Sequence, residues 1–323
     1  MSAVILPAAA RRSGRIDPVR LLRALLPALA LALMLGVIFS QQPRAMSYVG
    51  LTLLLNLSIP VILATLAQLC VITVNDLDLS VGSFVGLCAC IAATLLKDTP
   101  LLGVVALAAA IAAYALVGAL IQWRDLPSIV VTLGLSFIWT GIAVLILPTP
   151  GGRAPEYLTA IMKWKPDFVP LPILYAVALA LILHWVMRSS FGTMLRGAGG
   201  NPKAMGNAGW SLLRARVTLY LMAGGLGALS GLALVGLTTS GDANMALRYT
   251  LMSIAGVILG GGEFTGGRVN PIGAVLGAMT LTLAGSFLTF MHIPPDWQIG
   301  AQGAILIIVL ALRAVLNRAE ERS

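Results

Sequence analysis

Charged residues divide this chain into uncharged stretches too long and too apolar to cover a water-soluble domain. Ten uncharged runs of at least 14 residues follow one another: 24–43, 45–75, 79–96, 99–123, 126–152, 168–187, 217–241, 249–262, 269–295 and 297–312. A helix needs about 20 apolar residues to cross the bilayer core, with about 17 as the usual lower limit. Seven runs reach 20 residues, run 79–96 has 18, and 297–312 reaches the limit with a flanking residue or two. Run 249–262 either extends toward Arg248 or forms a partial helix. The runs are long and do not alternate polar with apolar positions, which excludes membrane strands. The expected fold is an all-α polytopic membrane protein of about ten transmembrane helices, with broken or partial helices near a pathway. Pro60, inside run 45–75, predicts a kink or break. The pairs Gly82/Gly86, Gly227/Gly231, Gly256/Gly260 and Gly273/Gly277 have the four-residue spacing that lets helix backbones approach closely.

Only 10% of residues are charged and 59% are hydrophobic, whereas soluble domains carry about 25% charged residues. The formal charge of +9 does not indicate nucleic acid, because the basic residues sit in short gaps and form no stripe interleaved with aromatics. They set topology instead. With ten helices, one side holds Arg11, Arg12, Arg15, Arg20, Arg23, Arg124, Arg188, Arg196, Lys203, Arg214, Arg216, Arg268, Arg313, Arg318 and Arg322. The other holds Arg44, Lys97, Arg153, Lys163, Lys165 and Arg248. This bias places both termini in the cytoplasm of a multi-pass inner-membrane protein. The divisions expected are a basic N-terminal segment 1–23, a transmembrane domain 24–312 containing a cytoplasmic loop 188–216, and a C-terminal tail 313–323. The first apolar stretch lacks a clean small-x-small cleavage site and reads as a retained helix. Cys70, Cys88 and Cys90 lie in apolar runs, without CxxC spacing, and read as small buried side chains.

The chain has no GxxxxGK[ST] phosphate loop. Gly197–Lys203 is glycine-rich, but Ala204 follows Lys203 and no strand-like stretch precedes it. His184 and His292 are the only histidines and stand far apart. No catalytic residue, metal ligand or cofactor is expected. Ionisable residues that a proton-driven pump would use are scarce within the runs; Asp76 and Asp78 come nearest.

Three segments carry polar chemistry. In 75–83 (NDLDLSVGS), Asp78 or Ser80 is placed to cap the helix that follows. The alternative is that this break lies within protein beside the translocation path, where non-helical backbone is tolerated and polar groups can meet a hydroxylated solute. The path candidates are Asn75, Asp78, Ser80, Gly82 and Ser83. In 188–216, five basic residues stand with no acidic one. Asn201 suits an N-cap and Pro202 the first helical position; Lys203, Ala204 and Met205 continue a short helix that Gly206 ends. This stretch is either a loop against lipid headgroups or a docking helix for a cytoplasmic partner. In 260–270 (GGGEFTGGRVN), glycines make a tight turn and Glu263 can pair with Arg268.

Together these segments resemble the sugar-type permease family of bacterial ABC importers, which includes ribose, xylose and galactose permeases. Leu77–Ser83 is similar to the family's intramembrane motif IDLSVGS. Leu126–Gly134 (LPSIVVTLG) is similar to its P-x-[FI]-I-V-T-L-G helix start. Phe191-Gly192 and Gly199–Ala204 look like its FG…GGNPxA loop, Gly266-Gly267-Arg268 its SGGRG turn, and Trp297-Gln298 the opening of its last span. The likeness runs in the family's order from about Asn56 to Leu312. Asn75 and Asp76 stand where the family commonly has glycines, which adds a charge near the path. Gly206–Trp210 departs from the usual loop, and Val269 replaces a glycine.

The resemblance implies two permease subunits, as a homodimer or heterodimer, around a central pathway. Separate ATP-binding subunits would dock below and a periplasmic solute-binding protein above. Asn201, Pro202, Lys203, Ala204, Met205 and Gly206 would form the coupling helix seated on the ATPase. The function implied is ATP-driven import of a monosaccharide or sugar-like solute, with hydrolysis on the partner. A nucleoside or furanose-derived signal is the nearby alternative solute. A proton-coupled transporter using Asp76 or Asp78, or a passive channel, would be a different class of protein.

Overall fold

The computed structural model describes residues 18–264 and 266–294 and the single positions 297, 300, 303, 304, 307 and 311, with side chains from Leu25 onward except that of Phe290. The expected last span 297–312, with Gln298, falls mostly outside the described residues, as do the tail 313–323, Thr265 and most of segment 1–23.

The helices are α1 (Pro18–Gln41), α2 (Tyr48–Leu55), α3 (Ser58–Ile72), α4 (Val81–Ala93), α5 (Leu95–Asp98), α6 (Pro100–Arg124), α7 (Ser128–Ile146), α8 (Glu156–Lys163), α9 (Leu171–Arg188), α10 (Ser190–Gly200), α11 (Pro202–Asn207), α12 (Leu212–Thr238), α13 (Tyr249–Leu259) and α14 (Pro271–Phe290). Among the described residues there is no strand, only an isolated bridge between Gly151 and Gly241. Among the described residues, six helical stretches are long and apolar enough to cross a membrane, and the pair α2–α3, bent by 42°, makes a seventh. Helix α1 begins at Pro18, six residues before the expected domain boundary at 24.

The bend falls where Pro60 predicts it. Proline has no N–H and its ring clashes with the carbonyl four residues back, here that of Asn56. That carbonyl instead accepts the Ile59 N–H at 3.2 Å. The Pro60 carbonyl in turn accepts the Ser230 hydroxyl at 2.6 Å, tying the bent span to α12.

Helix α12 is the axis of the bundle and packs against α3, α4, α6 and α8. Its glycines allow this. Gly227 lies under the Phe84 ring and Gly231 against the Val85 carbonyl of α4, while Gly118 of α6 receives Tyr220. Phe84, Tyr114, Trp139 and Tyr220 form a connected aromatic core, with Phe84 and Tyr114 centroids 4.5 Å apart. Burial is uneven: 78% of the Val81–Asp98 window is enclosed but only 17% of α7. Helices α6 and α7 turn Leu101, Leu116, Phe137 and Leu145 outward, an apolar surface suited to lipid or to another membrane helix.

Two of the GxxxG pairs meet each other. A Cβ on Gly273 would overlap the Gly260 carbonyl oxygen, and one on Gly277 the Gly256 carbonyl oxygen. No side chain fits between α13 and α14 at these points. Gly273→Leu is therefore expected to give protein that aggregates on detergent extraction, and Gly273→Ala a clearly lowered thermal midpoint. Gly225→Ala, a helical position with open space around it, should be neutral or gain up to about 1 kcal/mol from helix propensity. Equal behaviour of the two alanine variants would contradict the packing.

Candidate translocation and coupling sites

The intramembrane motif is a true break in the helix ladder. Asn75 ends α3 in the left-handed region, at φ +64°. The chain then runs without helix to Ser80, and side chains of other helices satisfy its backbone. Leu77 N–H donates to Ser128 Oγ at 3.2 Å and Leu79 N–H to Thr132 Oγ1 at 3.1 Å, both on α7. The Gln68 amide, oriented by its hydrogen-bond partners, donates to the Asp78 carbonyl at 3.1 Å and accepts the Asp78 N–H at 3.2 Å. Irregular backbone persists at membrane depth only when enclosed by protein in this way.

The capping expectation is corrected. Ser80 occupies the N-cap position of α4, but its side chain makes no cap hydrogen bond. Its N–H and hydroxyl both donate to Asp78 Oδ1, at 2.6 and 2.7 Å, so Asp78 closes the turn before the helix. The first-turn donor Gly82 N–H is met by Thr250 Oγ1 at 3.0 Å. Of the five path candidates, Asp78, Ser80, Gly82 and Ser83 are buried within the chain and Asn75 is exposed.

Asp76 adds no free charge to the break. Its carboxylate faces Arg216 of α12, with Nε 3.0 Å from Oδ2 and Nη2 donating to Oδ1 at 3.2 Å. Tyr220 donates to Oδ2 at 3.1 Å, and Arg216 Nη1 donates to Gln122 Oε1 of α6 at 2.8 Å. Both charged side chains are largely buried, 15% and 8% exposed. In the sequence, Arg216 reads as one more basic residue of segment 188–216. The signal available was its four-residue spacing to Tyr220, which puts both on one helix face.

Segment 188–216 is helical rather than a loop: it comprises the end of α9, then α10, α11 and the start of α12. Asn201 caps α11 as expected, accepting the Ala204 N–H at 3.0 Å, with Pro202 in the first turn. The helix passes through Gly206 to Asn207 and is followed by Gly209 at φ +81°. Asn201, Pro202, Lys203, Ala204 and Gly206 are exposed, whereas Met205 is buried and lines a cleft with Met194 of α10 and Trp210. Met205 thus anchors the helix, and its neighbours form the outward ridge. Asn75 Nδ2 donates to the Gly199 carbonyl at 2.8 Å, joining α10 directly to the break.

A second irregular segment follows α12. Ala154 N–H donates to the Thr239 carbonyl at 3.0 Å and Arg153 N–H to that of Ala93 at 2.9 Å, gathering the ends of α12 and α4. From there the chain turns back along α4. Gly241 lies beside Ala93, the Ala243 carbonyl beside Gly86, and the Ala246 carbonyl beside Gly82. Only then does α13 begin, an 11-residue partial helix. At 260–270, the expected turn carries positive φ at Gly261, Gly266 and Gly267, and Arg268 Nη1 lies 3.4 Å from Glu263 Oε2.

A family model described as the branched-chain amino acid transport system permease component matches residues 50–310. The chain belongs to this family. The permease is 27% identical over 310 residues to the galactose/methyl galactoside import permease protein MglC of Haemophilus influenzae, covering 87% of this chain and 91% of that one. It is 29% identical over 308 residues to the autoinducer 2 import system permease protein LsrC of Salmonella typhi, covering 93% and 87%. It is 28% identical over 306 residues to MglC of Escherichia coli, covering 87% and 91%. No solved structure matches the permease. Family and apolar helices together make it a multi-pass membrane protein.

Proposed function

We propose that this permease forms the transmembrane pathway of a binding-protein-dependent ABC importer for a monosaccharide or sugar-like solute. The observation that carries the reading is similarity to galactose and autoinducer 2 import permeases over most of both chains. The similarity to LsrC, over 93% of this chain, keeps a small furanose-type signal as a second solute. Within the reading, the described spans, the bent pair, α1, the partial α13 and run 297–312 together cross the membrane ten times. Both termini are then cytoplasmic, and a second permease subunit completes the pathway. The ridge of Asn201, Pro202, Lys203, Ala204 and Gly206 docks on an ATP-binding subunit, with Met205 holding it to α10. A periplasmic binding protein delivers the solute. The break with Asn75, Asp78, Ser80, Gly82 and Ser83 lies beside the path and is repacked when the docked ridge moves, a rigid-body switch between two packings.

Cysteine accessibility tests this orientation. A cysteine at Lys203 should react with a membrane-impermeant maleimide in inverted vesicles and stay unreactive in intact cells. The reverse pattern would put the ridge on the wrong face for an ATPase and overturn the proposal.

A further inference from the structure

We propose that Arg248, with the hydroxyl row of α14, forms a contact station for a neutral polyhydroxylated solute halfway through the bundle. The proposal rests on the import reading above and names a site for it.

The depth of Arg248 follows from the register of its neighbours. Helix α12 has 27 residues, about 40 Å at 1.5 Å per residue. Near one end Arg216 holds Asp76, and just past the other the Thr239 carbonyl holds Ala154. Gly227, near its middle, faces Phe84, and Gly82 lies against the carbonyls of Ala246 and Leu247. Arg248, the next residue, therefore sits near the mid-height of the longest span and not in an edge loop. A cationic side chain at that depth is costly and marks solute or ion pathways. It also stands at the N-cap of α13, where the helix dipole disfavours positive charge. Among the described residues no ion pair offsets these costs, and Arg248 is exposed on the surface of the chain.

Arg248 lines a cleft with Tyr249, Thr282, Ser286 and Thr289. The three hydroxyl residues of α14 are spaced four and three apart, which puts them on one face. Each donates its own proton back to the helix, Thr282 to the Ala278 carbonyl at 2.9 Å, Ser286 to that of Thr282 at 3.2 Å and Thr289 to that of Gly285 at 3.1 Å. Their lone pairs remain as acceptors. Arginine supplies donors and no acceptor. Donors beside acceptors match a polyol, whose every hydroxyl does both. An inorganic anion would use only the donors, and an aliphatic amino acid side chain neither. A wider cleft shares Leu57, Ser286 and Thr289 with the first and continues past the apolar Val49, Leu53 and Leu54 to Ser47 and Arg44.

The test uses the complete importer, with its ATP-binding subunits and binding protein, in vesicles supplied with radiolabelled galactose, ribose and xylose. Arg248→Gln should lower uptake of the transported sugar about ten-fold and Ser286→Ala about three-fold, the range of one lost directional contact. The thermal midpoint should stay at its wild-type value. In the Ser286→Cys importer, the transported sugar should slow maleimide labelling of that cysteine. Uptake unchanged in Arg248→Gln, or labelling indifferent to sugar, would overturn the station while leaving the import reading intact. Loss of uptake that tracks equal losses of hydrolysis and thermal stability would make Arg248 a structural residue and equally overturn it. A wild-type importer that takes up none of the three sugars and no furanose-type signal would overturn the import reading, and with it the solute class assigned here.

Discussion

Arg216→Met is expected to cost about 3–5 kcal/mol of stability, because it leaves the Asp76 carboxylate enclosed without its cation. The pair is held from three elements at once: the break after α3, α6 through Gln122, and α12 through both Arg216 and Tyr220. Its geometry is tight, at 3.0 Å, and neither side chain is more than 15% exposed, so solvent screening does little to soften the loss. The attraction itself is largely offset by the desolvation of two charges, which predicts a specific asymmetry. The double variant Asp76→Leu/Arg216→Met should recover most of what the single variant loses, because no orphan charge remains. Thermal unfolding of the four proteins in detergent gives the coupling directly as a double-mutant cycle. A double variant no more stable than Arg216→Met would show that the pair is incidental to the fold.

Lys203→Glu should abolish coupling while leaving the protein folded. Lys203 lies on the exposed ridge of α11, and among the described residues no ion pair holds it. In the assembled importer, reversing that charge at a docking ridge should weaken the ATPase contact by about 1.4 kcal/mol or more, a ten-fold or greater drop in solute-stimulated hydrolysis and uptake. Met205→Asp provides the contrast. It would drive a carboxylate into the cleft lined by Met194 and Trp210, so hydrolysis should fall together with the thermal midpoint. Full uptake in Lys203→Glu would place the docking surface elsewhere on the chain.

What sequence reading reached, it reached through local patterns. Run lengths located six spans and the bent pair among the described residues, Pro60 marked the bend, and Asn201-Pro202 marked the start of α11, because each signal lies within a few residues of its effect. The misses are contacts between residues far apart in the chain. Thr250 caps a helix that begins at Val81, and Arg216 answers an aspartate 140 positions earlier. Segment 188–216 reads as a polar loop from its basic residues, yet it holds α10, where Gly199 is small for a packing reason: it lies against the Thr73 carbonyl. The segment that ends at Arg248 is expected on the outer side, because Arg248 counts among the outer basic residues. Its small residues, Gly241, Ala243 and Ala246, let it descend along α4. A charge that ends an apolar run in the sequence can therefore still lie deep in the bundle.

The account stands on one division of labour, with this chain as the gate and a separate polypeptide as the ATP-driven motor. The most direct measurement is uptake of radiolabelled galactose, ribose and xylose into proteoliposomes, with the purified permease alone or joined by the ATP-binding subunits and binding protein of its importer. ATP-dependent accumulation of at least one sugar against its gradient is expected only when all components are present. Accumulation by the permease alone, whether driven by ATP or by an imposed proton gradient, would contradict it.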